Sequence, residues 1–87
     1  MHLRLFVAGN SPRSNLTVQV LRNICEEYIQ GHYQLEIIDI YQQPAMAREA
    51  QIIATPTLIK LAPQPKKVMI GNLSQTERVL ASLGLVG

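Results

Sequence analysis

The chain has 87 residues, enough for one hydrophobic core, so a single domain spanning 1–87 is expected. Hydrophobic residues make up 47% and charged ones 16%, a balance that buries a core and excludes a disordered linker. Eight basic and six acidic side chains leave a net charge of +2; with only Lys66 and Lys67 adjacent and few aromatics, the chain lacks the basic stripe or stacking platform that nucleic acid requires.

Leu3 to Ala8 alternates at first, Leu3, Leu5 and Val7 against Arg4 and Phe6, and then meets the turn cluster Gly9-Asn10-Ser11-Pro12. A strand and a turn follow from this. From Ser14 onward Leu16, Val20, Leu21, Ile24, Cys25 and Tyr28 recur at three- and four-residue spacing, which predicts a long helix with one apolar face. Ser11 or Ser14 caps its start, and Gly31 stands where a left-handed C-terminal cap belongs. Tyr33 to Ile40 reads as a strand whose β-branched end suggests burial on both faces. A helical crossover between two strands implies a right-handed β-α-β unit with parallel pairing.

Pro44 suits the first turn of a second helix, Ala45 to Ile53, whose exposed face carries Arg48, Glu49 and Gln51. Thr55-Pro56 breaks it. Thr57 to Leu61 and Lys66 to Ile70 form strands around the Ala62-Pro63-Gln64-Pro65 turn, an antiparallel hairpin. Ser74-Gln75-Thr76-Glu77 has the spacing of a capping box and opens a last helix that runs to about Leu83. The order β-α-β-α-β-β-α is that of an α/β thioredoxin-like fold, a mixed sheet with helices on both faces.

The chemistry of a thioredoxin is missing from this layout. A dithiol enzyme carries Cys-x-x-Cys at the start of its first helix, where the helix N-terminus lowers the thiolate pKa, and here Ser11-Pro12-Arg13-Ser14 stands in that place. Cys25 is the only cysteine and falls on the apolar face, so it reads as a buried core thiol. His2 and His32 have no partner at metal-ligand spacing, and Gly9-Asn10-Ser11 lacks the lysine and spacing of a P-loop. Glu36 reads as a solvated strand carboxylate, whereas Asp39, at a strand end, is placed to bind a neighbouring loop. No catalytic residue, cofactor site or metal site is expected, and the chain reads as a non-enzyme. No window reaches the ~18 apolar residues of a membrane span, and the N-terminus shows no signal-peptide pattern; a cytoplasmic protein without membrane contact is expected.

Leu5-Phe6-Val7-Ala8-Gly9-Asn10-Ser11-Pro12 resembles the opening strand and turn of the KaiB family. Gly31-His32-Tyr33, Ile37-Ile38-Asp39-Ile40, Pro44 with Ala47, Ile53-Ala54-Thr55-Pro56-Thr57-Leu58, Lys60 and Pro63, Ile70-Gly71-Asn72-Leu73-Ser74 and Glu77-Arg78-Val79-Leu80 follow at family spacing. Asn72 stands where the family usually has aspartate. The resemblance implies a circadian clock protein that binds a KaiC-type ATPase, modulates its phosphorylation cycle, sequesters KaiA and displaces a SasA-like kinase. It implies partner contacts on the second helix and the turn after it: Ala45, Arg48, Glu49, Gln51, Ile52, Ala54, Thr55 and Pro56. Thr55-Pro56 occupies the place of the thioredoxin-like cis-proline.

The resemblance also implies fold switching between two states, a monomeric thioredoxin-like form that binds the ATPase and a tetrameric ground state of order βαββααβ. Ser82 and Gly84 mark the fold-switch region: Ser82 replaces a family glycine and favours continuing helix, and the usual acidic tail is absent from this sequence. The monomer in the thioredoxin-like fold is therefore expected, with the tetramer as the alternative. Two other functions are compatible with the sequence, a KaiB paralogue of the stress response, and a degenerate thioredoxin-like protein holding a glutathione-like peptide near Ser11 and Thr55-Pro56 without redox activity.

Overall fold

The computed structural model describes residues 1–85. It contains β1 (His2–Val7), α1 (Pro12–Tyr28), β2 (Gln34–Asp39), α2 (Pro44–Glu49), β3 (Thr57–Ala62), β4 (Lys67–Ile70) and α3 (Thr76–Ser82), in the expected order. The four strands form one sheet in the order β2-β1-β3-β4. β1 pairs parallel with β2 and antiparallel with β3, and β3 pairs antiparallel with β4.

Alternation along β1 divides the core between two faces. Leu3, Leu5 and Val7 join Leu21, Ile24 and Cys25 of α1, Leu58 of β3, and Val79 and Leu80 of α3. Phe6 points the other way, where with Ile38 and Ile59 it is covered by Met46, Ala47 and Ala50 of α2. Helices therefore lie on both faces of the sheet, α1 and α3 on one and α2 on the other. Phe6, Leu3, Leu5, Leu21 and Leu58 are at most 1% exposed.

Local chemistry revises several expectations. Ser11 is the N-cap of α1: its Oγ accepts from Ser14 N at 3.1 Å, while its hydroxyl donates to Ser14 Oγ at 3.0 Å. The buried face of α1 is Ser14, Thr17, Leu21, Ile24 and Cys25; Leu16 and Tyr28 are 55% and 45% exposed and do not belong to it. Thr17 can occupy the core because its Oγ1 donates to Arg13 O at 3.0 Å, which leaves no unpaired hydroxyl. α1 is capped at Ile29, and Gly31, at φ 70°, lies two residues beyond. β2 is an edge strand, so of its isoleucines only Ile38 is fully buried, in place of the two-faced burial its composition suggested.

α2 is shorter than the expected Ala45–Ile53. It stops at Glu49 with Ala50 as C-cap, Gln51 adopts φ 57°, Gln51 N donates to Arg48 O and Ile52 N to Ala47 O, each at 3.0 Å. This bond pair is a Schellman motif with glutamine in the left-handed position where glycine is usual. α3 ends in the same way, Gly84 N on Ala81 O at 3.2 Å and Leu85 N on Leu80 O at 2.9 Å, with Gly84 at φ 73°. Ser82 is its last helical residue. The capping box does not form: Gln75 is the N-cap of α3, no side chain caps it, and Ser74 lies outside. Arg78, in the first turn of α3, ties the helix to the segment after β4, donating to Gly71 O at 2.6 Å.

Candidate functional site

The second helix projects Ala45, Arg48 and Glu49 into solvent, because Met46, Ala47 and Ala50 occupy the inward positions at helical spacing. Chain reversal at the Gln51 cap leaves Gln51 exposed and turns Ile52 inward against the Phe6, Ile38 and Ile59 cluster. Ile53 follows at 88% exposure, the most exposed of the large apolar side chains described. Ala54 is exposed, Thr55 half-buried and Pro56 buried. The eight residues singled out on the second helix and its turn thus divide into an outward set (Ala45, Arg48, Glu49, Gln51, Ala54) and an anchoring set (Ile52, Thr55, Pro56). Ile53 is the member that the sequence reading missed, since an apolar residue at the end of an expected helix reads as core.

The turn that carries Ile53 is held at both ends. Thr57, itself buried, donates through Oγ1 to Ala54 O at 2.6 Å. Pro56 O accepts from Gly71 N at 3.0 Å, which ties the turn to the segment after β4. The Thr55-Pro56 peptide is cis, as are Ala62-Pro63 and Gln64-Pro65. At the other end of α2, Asp39 Oδ1 accepts from Gly9 N at 3.1 Å and from Tyr41 N at 2.9 Å. Asp39 thereby binds the loop after β1, and its backbone oxygen accepts from Gln42 N and Gln43 N just ahead of the helix.

The place of a thioredoxin dithiol is occupied by satisfied hydroxyls. Ser11 and Ser14 bond each other, and Ser14 Oγ reaches Ala8 O at 3.4 Å. Beside them lies a shallow depression of about 70 Å³ lined by Arg13, Leu16, Thr17, Pro56, Asn72, Leu73 and Ser74, well below the ~300–1,000 Å³ of ordinary ligand pockets. Cys25 is fully buried on α1, and desolvation, aided by Glu26, pushes its thiol up, away from the reactive thiolate.

A second polar group was not anticipated. His2 Nε2 is hydrogen-bonded to Glu36 Oε1, and Arg4 Nη2 donates to the same oxygen at 3.2 Å. The His2 hydrogen bond is the main cause that holds the Glu36 carboxyl below its usual range; burial opposes it, and the hydrogen bond and charge of Arg4 add to the lowering. The parallel register Arg4↔Glu36 contained the signal; reading each strand separately concealed it. Tyr33 donates to Glu26 at 2.9 Å, which raises its phenol. Among the described residues no three His, Cys, Asp or Glu side chains gather as a metal site would require.

A four-stranded mixed sheet with this helix order and serines in place of the dithiol define a thioredoxin-like domain without the thioredoxin redox pair. Its fold neighbours include the N-terminal domain of SasA from Synechococcus elongatus, with TM-score 0.76 and 26% identity over 94% of this chain and 77% of that one. Thioredoxin O2 of Arabidopsis thaliana superposes with TM-score 0.73 at 19% identity, over 94% of this chain and 73% of that one, a likeness of fold alone. Residues 4–85 match the KaiB domain. The circadian clock oscillator protein KaiB of Microcystis aeruginosa is 48% identical over 97% of this chain and 81% of its own length. KaiB1 of Synechocystis sp. is 46% identical, over 97% and 80%. The chain belongs to the KaiB family. No helix among the described residues is long and apolar enough to cross a membrane.

Proposed function

We propose that this protein is a circadian clock component that acts by docking, without catalysis of its own, on a KaiC-type ATPase and so modulates its phosphorylation cycle. The outer face of α2 and the turn through Pro56 form the contact surface. The observation that carries this reading is the pairing of an exposed polar face, Ala45, Arg48 and Glu49, with Ile53 held out at 88% exposure on a turn anchored at both ends. An apolar anchor in a polar surround, fixed before binding, concentrates affinity in few residues and lowers the ordering cost of association. The likeness to clock oscillator proteins supplies the setting, and the likeness to the SasA N-terminal domain supports competition between this chain and a SasA-like kinase for the same ATPase. Capture of KaiA by the assembled complex follows from the same family reading.

Docking takes place in the thioredoxin-like fold, with the chain as a monomer and the tetrameric ground state as the alternative form. Size-exclusion chromatography with light scattering, alone and with a KaiC-type ATPase, tests the proposal. The free chain elutes as a monomer and co-elutes with the ATPase, and Ile53→Asp and Arg48→Glu each weaken the complex by about tenfold or more, in the range of interface anchors. An added SasA N-terminal domain displaces the chain. Unchanged binding by both variants would remove α2 and its turn from the interface.

A further inference from the structure

Between α2 and the central strands β1 and β3 runs a groove of about 220 Å³, lined by Arg4, Met46, Glu49, Ala50, Ile59, Leu61 and Lys66. Its floor is apolar: Ile59 lies in the core cluster on this face, with Leu61, Met46 and Ala50 packed around it. Two cations and one carboxylate line the groove. The Arg4 guanidinium is only partly used, since Nη2 reaches Glu36 while Nε, shielded from solvent, has no partner; among the described residues it is the one buried side-chain nitrogen or oxygen left unpaired. An unpaired buried donor is rare in native proteins and costly when it belongs to a charged group, and an incoming anion would satisfy it.

We propose that this groove binds a small amphipathic anion, its carboxylate or phosphate headgroup between Arg4 and Lys66 and its apolar part over Ile59, Leu61, Met46 and Ala50. The planar guanidinium gives one Nη2–H to Glu36, which leaves its other donors for the ligand. The groove is below drug size, which restricts the ligand to a short chain or a single ring. Arg4 and Lys66 are not part of the proposed docking surface on α2, so loss of ligand binding and loss of ATPase docking are separately measurable.

Octanoate is the probe, followed by amide spectra and by the Arg4 Nε–H resonance, with octanol and inorganic phosphate as controls. Octanoate produces saturable shifts at Arg4 Nε–H, Ala50, Ile59 and Leu61. Lys66→Gln, at the exposed rim where folding is not at stake, weakens binding at least fivefold, and Arg4→Lys, which keeps the charge and removes the planar fork, weakens it about tenfold. Equal shifts with octanol would show that charge is not read, and equal shifts with phosphate that the apolar floor plays no part; either overturns the proposal. So does the absence of saturation, or binding undiminished in Lys66→Gln. An acidic peptide that shifts these resonances while octanoate does not would also overturn it, assigning the groove to a partner's acidic segment.

Discussion

Replacing Gln51 by glycine should stabilise this protein. Gln51 and Gly84 hold equivalent places in two Schellman caps, at φ 57° and φ 73°, with matching pairs of bonds back into α2 and α3. A non-glycine residue in left-handed backbone pays about 1–2 kcal/mol, whereas glycine gives up about 0.4–1 kcal/mol through its greater freedom in the unfolded chain. The difference favours Gln51→Gly by about 0.5–1 kcal/mol and disfavours Gly84→Ala by a similar amount. At Gly84 an added Cβ meets nothing within 4 Å among the described residues, so the cost there is that of backbone conformation. Urea unfolding reads both changes as shifts of midpoint at constant m, and thermal unfolding as displacements of about 2–8 °C in opposite directions for a domain of this size. A destabilised Gln51→Gly, with Gly84→Ala neutral, would refute the cap assignment. Residues under strain often lie at functional sites, and Gln51 sits at the hinge between the outer face of α2 and Ile53. The stabilised variant should therefore be assayed for ATPase binding too, where relaxation of the turn weakens docking while the fold gains.

Asp39→Ala loses the acceptor for Gly9 N and Tyr41 N and costs about 2 kcal/mol, whereas Asp39→Asn keeps an acceptor and costs less than half of that; urea unfolding separates the two. Ser11→Ala removes the α1 cap and costs about 1 kcal/mol, while Ser74→Ala, outside any cap, stays within about 0.5 kcal/mol of wild type; their melting temperatures provide the check. The folded Glu36 carboxyl titrates below its unfolded value of about 4.3, so its contribution to stability is fully present above that value. It is lost as pH falls through the lower folded value. The stability difference between wild type and Glu36→Gln, measured by urea unfolding across acid pH, should fade on acidification.

Element order was legible because each segment carried its own signal. The Gly9-Asn10-Ser11-Pro12 turn, the period of α1 and the proline-rich link between β3 and β4 are local features, and the structure follows them. Cys25 on the inner face of α1 and Asp39 as a tie to the neighbouring loop were legible for the same reason. What was hidden depended on tertiary neighbours. Leu16 and Tyr28 fit the helical period but lie at the margin of the face that α1 presents to the sheet, while Thr17 takes a core place once Arg13 O satisfies its hydroxyl. Ser74 and Glu77 have capping-box spacing, yet α3 begins after Gln75. The length of α2 was misjudged because glutamine is a good helix former, and nothing local announces that Gln51 will adopt left-handed backbone; the inward pull on Ile52 is a property of the sheet beneath. The same error placed Ile53 in a helix and concealed the exposed anchor of the candidate site. Glu36 looked solitary until strand register set it beside His2 and Arg4.

Amide chemical-shift mapping of the labelled chain with a KaiC-type ATPase domain tests the central claim most directly. Signals over residues 44–56 are lost or displaced, most strongly at Arg48, Gln51 and Ile53, while residues 57–62 and 67–70 keep the shifts of β-strands in the free and bound chain. Perturbations confined to β4 and α3, or helical shifts across 57–70 in the complex, would contradict it.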